Sequence, residues 1–278
     1  MVSMEQIKAA AIQLSPGEDM DRNAQTALDL VRDAAKEGAR LIALPEYFAY
    51  YGSEERWAEA GAMTSRVISA FRQEAKNLDV YILMGTVLVP GSDSPGKLAN
   101  TSILLDPDGE HAAQYIKRHL FDVSLDSGEF CESQWLERGK SFATADVEGW
   151  KLGLSICFDL RFPHHFAALR GMDANVIAVP SAFSLETGSA HWMPLIRARA
   201  IETQCYVIAP ALVGECGAGK KCFGSTAIID PWGQVAALKE HGEGFVMALL
   251  DPSFVERVRR KIPMTPSPHP SSYPAGDK

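Results

Sequence analysis

The sequence predicts an α/β fold in which mixed sheets carry helices on their outer sides and two β/α halves share one sandwich. Three observations predict it. Apolar runs of strand length alternate with helix-length amphipathic segments. A β-α-β-α-β-β order over the first 105 residues is followed, after residue 140, by a second run of strands and helices. No linker separates the halves, and 278 residues, 46% of them hydrophobic, can bury the core of one large domain. That domain is expected over residues 1–264, followed by a Pro/Ser-rich tail over 265–278.

Ile7 to Leu14 reads as a buried strand. Asp19 or Asp21 can cap a helix whose Ala24, Ala27, Leu28, Val31, Ala34 and Ala35 form one apolar face. Arg40 to Leu44 is the next strand, stopped by Pro45, and a second helix is expected from Glu54 to Lys76. Strands follow at Val80–Leu88, Thr101–Leu105 and Ala112–Ile116, and then an irregular stretch from Asp122 to Lys140. The second half opens with a strand ending at Cys157 and a helix from Pro163 to Gly171. The strand Asn175–Val179, a helix near Ser189–Thr203 and the strand Tyr206–Leu212 come next. Phe223–Ile229 and Val235–Leu238 flank the turn Asp230-Pro231-Trp232-Gly233 and read as a hairpin. A short helix starts at Pro252, and the tail from Thr265 is expected to be extended or disordered on its own.

A net charge of -8 and a pI near 5.4 argue against general binding to nucleic acid or anionic membranes. An anionic small substrate stays compatible, given a local cationic pocket. No run of about 18 apolar residues is present and the N-terminus lacks a signal-peptide layout, so the expected compartment is the cytoplasm. Cys131, Cys157, Cys205, Cys216 and Cys222 make an odd set without a CxxC pair, which reads as reduced thiols. The seven histidines do not fall at zinc-ligand spacings around them, so no metal is expected.

Three strand ends carry candidate chemistry: Glu46 in Leu44-Pro45-Glu46, Lys117 in Tyr115-Ile116-Lys117-Arg118-His119, and Cys157 in Ile156-Cys157-Phe158-Asp159-Leu160-Arg161. A free thiol has a pKa of about 8.5 and needs a base or a nearby cation to act as a nucleophile. A carboxylate can take its proton, and an ammonium can hold the oxyanion formed when sulfur attacks a carbonyl. Between strand and helix, the Cys157 sulfur is expected to face solvent and a helix N-terminus. Each residue also has a plain reading, as buried filler, a capping carboxylate and a solvated lysine. His119, His164, His165 and His191 offer alternative bases; the spacing puts His164 and His165 on a helix start, as surface residues.

These segments resemble the three signatures of the nitrilase (carbon-nitrogen hydrolase) superfamily, in the same order and approximate placement. The resemblance extends through Val179-Pro180-Ser181-Ala182-Phe183, Thr187-Gly188-Ser189-Ala190-His191-Trp192, the stretch from Arg197 to Val207 and Asp230-Pro231-Trp232-Gly233, and looks like the Nit branch. It covers nearly the whole chain except the tail. It implies a four-layer α-β-β-α sandwich that dimerises, or assembles further, by packing outer helices. It makes Cys157 the nucleophile, Glu46 the general base, Lys117 the oxyanion-stabilising lysine and the Phe158 N–H a second donor. Cys131-Glu132-Ser133 matches the family's further glutamate, so Glu132, over Glu129, would hold Lys117 and the substrate in line. No metal or organic cofactor is implied. Phe158 stands where the family often has Tyr, and Phe223-Gly224-Ser225-Thr226 where relatives often read Tyr-Gly-His-Ser.

The implied reaction is hydrolysis of a non-peptide amide to acid and ammonia through a cysteine thioester. An ω-amide of an α-keto acid, deaminated glutathione or α-ketoglutaramate, is the expected substrate. An N-carbamoyl amine or a nitrile is the alternative, and a non-catalytic dimeric scaffold the bland one. Arg161 and Arg199 are candidates for binding a substrate carboxylate, although Arg199 could simply pair with Glu202. By the resemblance, Phe183 to Thr187 lines the acid end of the substrate, with Thr187 as donor. Gly214 to Lys221 approaches the G-x-x-x-x-G-K-[ST] pattern, but Lys221 replaces the hydroxyl and a β-like segment follows, which reads as a strand-strand loop.

Overall fold

The computed structural model describes residues 4–126 and 128–264; the Pro/Ser-rich tail lies outside the described residues. The chain opens with β1 (Ile7–Gln13), α1 (Met20–Lys36), β2 (Leu41–Ala43), α2 (Trp57–Leu78), β3 (Tyr81–Pro90), β4 (Leu98–Leu105) and β5 (His111–Ile116). A small hairpin, β6 (Asp122–Leu125) and β7 (Gly128–Cys131), precedes β8 (Thr144–Val147) and β9 (Trp150–Leu154). Then come α3 (Pro163–Gly171), β10 (Val176–Ala178), α4 (Leu185–Thr203) and β11 (Tyr206–Ala209). The chain continues through β12 (Val213–Glu215), β13 (Lys221–Phe223), β14 (Thr226–Ile229), β15 (Val235–Lys239), β16 (Gly244–Leu250) and α5 (Pro252–Lys261).

Two six-stranded mixed sheets form, ordered β16-β1-β2-β3-β4-β5 and β15-β14-β11-β10-β9-β8. The side-chain alternation of the strands sorts the core into layers. Ala9, Ala11, Leu41, Ala43 and Leu83 pack with Leu152, Leu154 and Val207 of the second sheet. Their neighbours Ala10, Ile12, Ile42 and Ile82 pack instead with Leu28 and Val31 of α1 and Phe71 of α2. On the far side, Phe166 and Leu169 of α3 and Trp192 and Ile196 of α4 cover the second sheet. The result is a four-layer α-β-β-α sandwich. Burial on both faces explains why the parallel strands read as continuous apolar runs.

The elements depart from the sequence expectation in particular places. A 3-10 turn over Glu54–Arg56 precedes α2, so the α-helix itself starts at Trp57. Helix α4 starts at Leu185 because the Ser184 side chain accepts from the Thr187 N–H. The stretch 122–140 contains the hairpin β6–β7 in place of irregular chain. Strand β16 has no counterpart among the expected elements; it pairs antiparallel with β1, from Ile7 opposite Leu250 to Gln13 opposite Gly244. Gly214 to Lys221 runs from the end of β12 through the turn into β13 of one hairpin, as the strand-strand reading expects.

Two glycines let backbone segments approach closely beside strand ends that matter below. A Cβ on Gly85 would lie 2.0 Å from the Pro45 carbonyl oxygen and 2.2 Å from that of Leu44. A Cβ on Gly139 would lie 2.0 Å from the Ile116 carbonyl oxygen. Backbone cannot yield there without displacing Glu46 or Lys117. Gly85→Ala is therefore expected to cost about 1–3 kcal/mol, lowering the melting temperature by roughly 2–12 °C, and to reduce turnover. Normal melting with full activity would show that this approach does not place Glu46.

Candidate active site

Four side chains converge from two loops and two tight turns. Glu46 follows β2, where the Leu44 N–H still donates to Leu83 and Pro45 then stops the strand. Lys117 follows β5; its N–H donates to the Asn100 carbonyl and its own carbonyl accepts from the Gly139 N–H. Glu132 opens a 3-10 turn after β7. Cys157 opens another, Cys157–Arg161, after β9. The first sheet and its hairpin supply the charged groups, and the second supplies the thiol.

Lys117 Nζ lies 2.9 Å from Glu46 Oε1 and 2.9 Å from Glu132 Oε2, and both Lys117 and Glu46 are 1% exposed. Burial alone would drive the lysine towards neutrality, but the charges of Glu132 and Glu46 outweigh it and hold the ammonium charged. Glu46 is pushed above the ordinary carboxylate range by burial, against the pull of Lys117. Its Oε2 accepts from the Ala182 N–H at 3.0 Å and its Oε1 from Asn100 Nδ2 at 3.0 Å. Glu132 is tied on both oxygens, by the Tyr47 hydroxyl at 2.8 Å and the Phe121 N–H at 2.8 Å.

Cys157 is buried, so the expectation of a solvent-facing sulfur beside a helix N-terminus does not hold. Burial, reinforced by the charge of Glu46, pushes its thiol well above the ordinary range despite Lys117. Helix α3 starts only at Pro163, too far along to lower it. Cys157 adopts φ 43°, a left-handed conformation uncommon for a residue with a side chain. Asp159 holds the turn: its carboxylate accepts from the Ile156 N–H at 2.8 Å, the Tyr115 hydroxyl at 2.7 Å and the His119 N–H at 3.1 Å. Among the described residues no group accepts from the Phe158 N–H, which leaves it available beside the sulfur.

A cavity of about 1050 Å³ opens over these groups, lined by Glu46, Lys117, Glu132 and Cys157 together with Phe158, Arg161, Phe183 and Thr187. Arg161 is half-buried, with its guanidinium carbon 5.4 Å from the Phe183 ring centroid and Nη1 3.2 Å from His191 Nδ1. Among the described residues no carboxylate pairs with it. Thr187 is buried, its hydroxyl 2.9 Å from that of Ser184. Arg199 takes the plain reading. It pairs with Glu202 at 2.8 Å and donates twice to the Leu160 carbonyl, away from the cavity, so it braces the turn that carries Cys157.

The histidines do not serve the thiol: the groups acting on it are Glu46, Lys117 and the Ala182 N–H. His165 is fully buried, contrary to the surface expectation, and burial lowers it to about 4, which keeps it neutral against the Leu154 carbonyl. His119, Asp159 and His165 could offer three ligand atoms to a cation. Asp159 is already committed to Tyr115, Ile156 and His119, so the trio reads as the support of the Cys157 turn. Asn100, Tyr47 and Asp159 were not singled out from the sequence. A lone amide inside the apolar strand Leu98–Leu105 was the available signal for Asn100.

Comparison with known proteins places this geometry in a family. The carbon-nitrogen hydrolase family profile matches residues 8–260. A deaminated glutathione amidase of Synechocystis is 38% identical over 260 residues, covering 92% of this chain and 95% of its own. The crystal structure of the C. elegans NitFhit protein superposes with a TM-score of 0.88 at 31% identity; it covers 94% of this chain, which spans 64% of that one. Saccharomyces cerevisiae Nit3, a member of branch 10 of the nitrilase superfamily, superposes with a TM-score of 0.86 at 29% identity, covering 95% of this chain and 97% of its own. Matched along almost its whole length, the chain belongs to the carbon-nitrogen hydrolase family.

Proposed function

We propose that the protein hydrolyses the ω-amide of an α-keto acid, with deaminated glutathione as the preferred substrate, through a thioester on Cys157. The observation that carries the chemistry is the contact of Lys117 with both Glu46 and Glu132 in the floor of a cavity that Cys157 also lines. The substrate is supported by the names of the relatives and by Arg161, a cation that pairs with no carboxylate among the described residues.

In this reading the resting site holds a neutral thiol beside an ionised Glu46, since the thiol is the harder group to ionise. As sulfur attacks the amide carbon, Glu46 takes the thiol proton. The carbonyl oxygen becomes an oxyanion held by Lys117 and the Phe158 N–H, donors already in place before attack. Glu46 then gives its proton to the departing nitrogen, the C–N bond breaks, and the acyl group stays on sulfur. A primary amide releases ammonia; deaminated glutathione, whose amide nitrogen carries the dipeptide, releases cysteinylglycine. Glu46 next takes a proton from water, the hydroxide adds to the thioester, and collapse expels the sulfur, which regains its proton from Glu46. Glu132 keeps Lys117 charged and aimed. Arg161 and Thr187 hold the acid end of the substrate, with Phe183 as an apolar wall.

The same reading places the protein in the cytoplasm, on its five free thiols, as a dimer or higher assembly. Ile201 of α4 approaches Gly233, and both Ile201 and Trp232 are exposed and available to a second copy.

Product release from deaminated glutathione, α-ketoglutaramate, N-carbamoyl acids and nitriles tests the assignment directly. Turnover confined to carbamoyl compounds or nitriles would refute it. Cys157→Ala is expected to abolish turnover with melting unchanged, and undiminished release from that variant would sink the mechanism. Because Glu46 must be ionised and burial raises its pKa, activity is expected to fall as pH drops through a midpoint above the ordinary carboxylate value of 4.5. An acid limb at or below that value in a kcat/KM profile would contradict the role of Glu46. Arg161→Gln is expected to raise KM for the keto acid amides by about 10–100-fold and to leave a neutral amide unaffected; equal effects on both would remove Arg161 from carboxylate recognition.

A further inference from the structure

We infer that Asn100 is a positioning residue for Glu46: by occupying Oε1 it leaves Oε2 as the oxygen that exchanges the proton with Cys157. The inference rests on the Cys157–Glu46 reading above and names the atom through which that chemistry passes. Asn100 is fully buried in β4 and touches both charged partners of the thiol. Its side chain donates to Glu46 Oε1 at 3.0 Å, the same oxygen that Lys117 Nζ reaches at 2.9 Å. Its backbone carbonyl accepts from the Lys117 N–H at 2.9 Å. One residue therefore sets the spacing of base and ammonium.

The two carboxylate oxygens consequently differ. Oε1 carries two strong donors, so a proton arriving there would have to displace one of them. Among the described residues Oε2 accepts from the Ala182 N–H, at 3.0 Å, and keeps a lone pair for the thiol. That same N–H also pulls the Cys157 thiol downward, in keeping with a sulfur on the Oε2 side. The thiol proton thus passes from Sγ to Oε2, and from Oε2 to the leaving nitrogen, while Oε1 stays bound to Lys117 and Asn100 throughout.

The other half of the Asn100 amide argues that the residue serves the site. Its Oδ1 is buried and accepts no hydrogen bond among the described residues. An unsatisfied buried acceptor is destabilising, and a leucine of similar size would suit the interior of the fold better. What explains an amide here is the donor it presents to Glu46. The opposite orientation would set oxygen against oxygen, so the observed one matches an ionised carboxylate.

The charged and titratable groups around Glu46 are Lys117 after β5, Glu132 after β7, Cys157 from its turn, and the phenols of Tyr47 and Tyr51 from the segment that follows Glu46 itself. Asn100→Leu removes one donor to the carboxylate and leaves all of these in place. The acid limb of kcat/KM is expected to move up by about one pH unit, with KM nearly unchanged. The pH profile of Cys157 alkylation by iodoacetamide should move with it. Asn100→Asp should move both limbs further in the same direction, because two carboxylates then share one proton. If Asn100→Leu does not fold, Asn100→Ser removes the same reach and is read in the same way. An unmoved acid limb in a variant with native melting, or an equal fall in rate at every pH, would overturn the inference. If the wild type turns over no amide, the hydrolase reading fails, and the alkylation profiles still decide whether Asn100 tunes Glu46.

Discussion

A lysine ammonium cut off from water dictates much of this structure. Removing such a charge from solvent costs several kcal/mol unless anions and hydrogen bonds replace the lost water. Lys117 is met by two carboxylates, and neither could be removed without leaving a buried charge unbalanced. The carboxylates come from segments 86 residues apart in the chain, Glu46 after β2 and Glu132 after β7. Their meeting fixes how the first sheet, the β6–β7 hairpin and the Cys157 turn stand relative to one another. In the proposed reaction fold and chemistry share this constraint, since the ammonium that needs two anions at rest is also the donor offered to the developing oxyanion.

The thiol is held by a different kind of device. No helix dipole or imidazole activates it; the backbone is bent into a left-handed conformation and locked there by Asp159 and by Arg199 through the Leu160 carbonyl. In the proposed reaction the sulfur and the Phe158 N–H, both on this turn, act on the incoming carbonyl. Both groups are set before substrate binds, so little reorganisation remains for the reaction itself.

Much of this was legible in the sequence because the informative residues follow apolar strands directly. Pro45 before Glu46, and the charged cluster after Ile116, mark where a buried strand must end, and strand ends of α/β sheets are where sites form. Sheets with helices on their outer sides followed from strand and helix periodicity, and the four layers from the resemblance to the family signatures. Burial of the sulfur was not legible, since a cysteine after a strand reads the same whether the next loop folds over it or away. His165 escaped for a related reason: its neighbours in space, Tyr115 and Phe142, are distant in the chain. Asn100 and Asp159 act through hydrogen bonds whose partners only the fold brings near. Strand β16 was missed because its partner, β1, lies at the opposite end of the chain and leaves no local turn signature.

That pairing bears on how the protein is made. The second sheet is complete once β15 has formed, at residue 239, whereas β1 waits for Gly244–Leu250 to cover its outer edge. At synthesis rates of about 5–20 residues per second, the gap between the two strands takes on the order of 10–50 s to translate. During that time the backbone edge of an almost wholly apolar strand stands open, and edges of that kind recruit other chains. Non-local pairing of this sort also slows folding. The nascent protein therefore passes through a stage at which its N-terminal sheet is the aggregation-sensitive part, long after the residues of its active site have been synthesised.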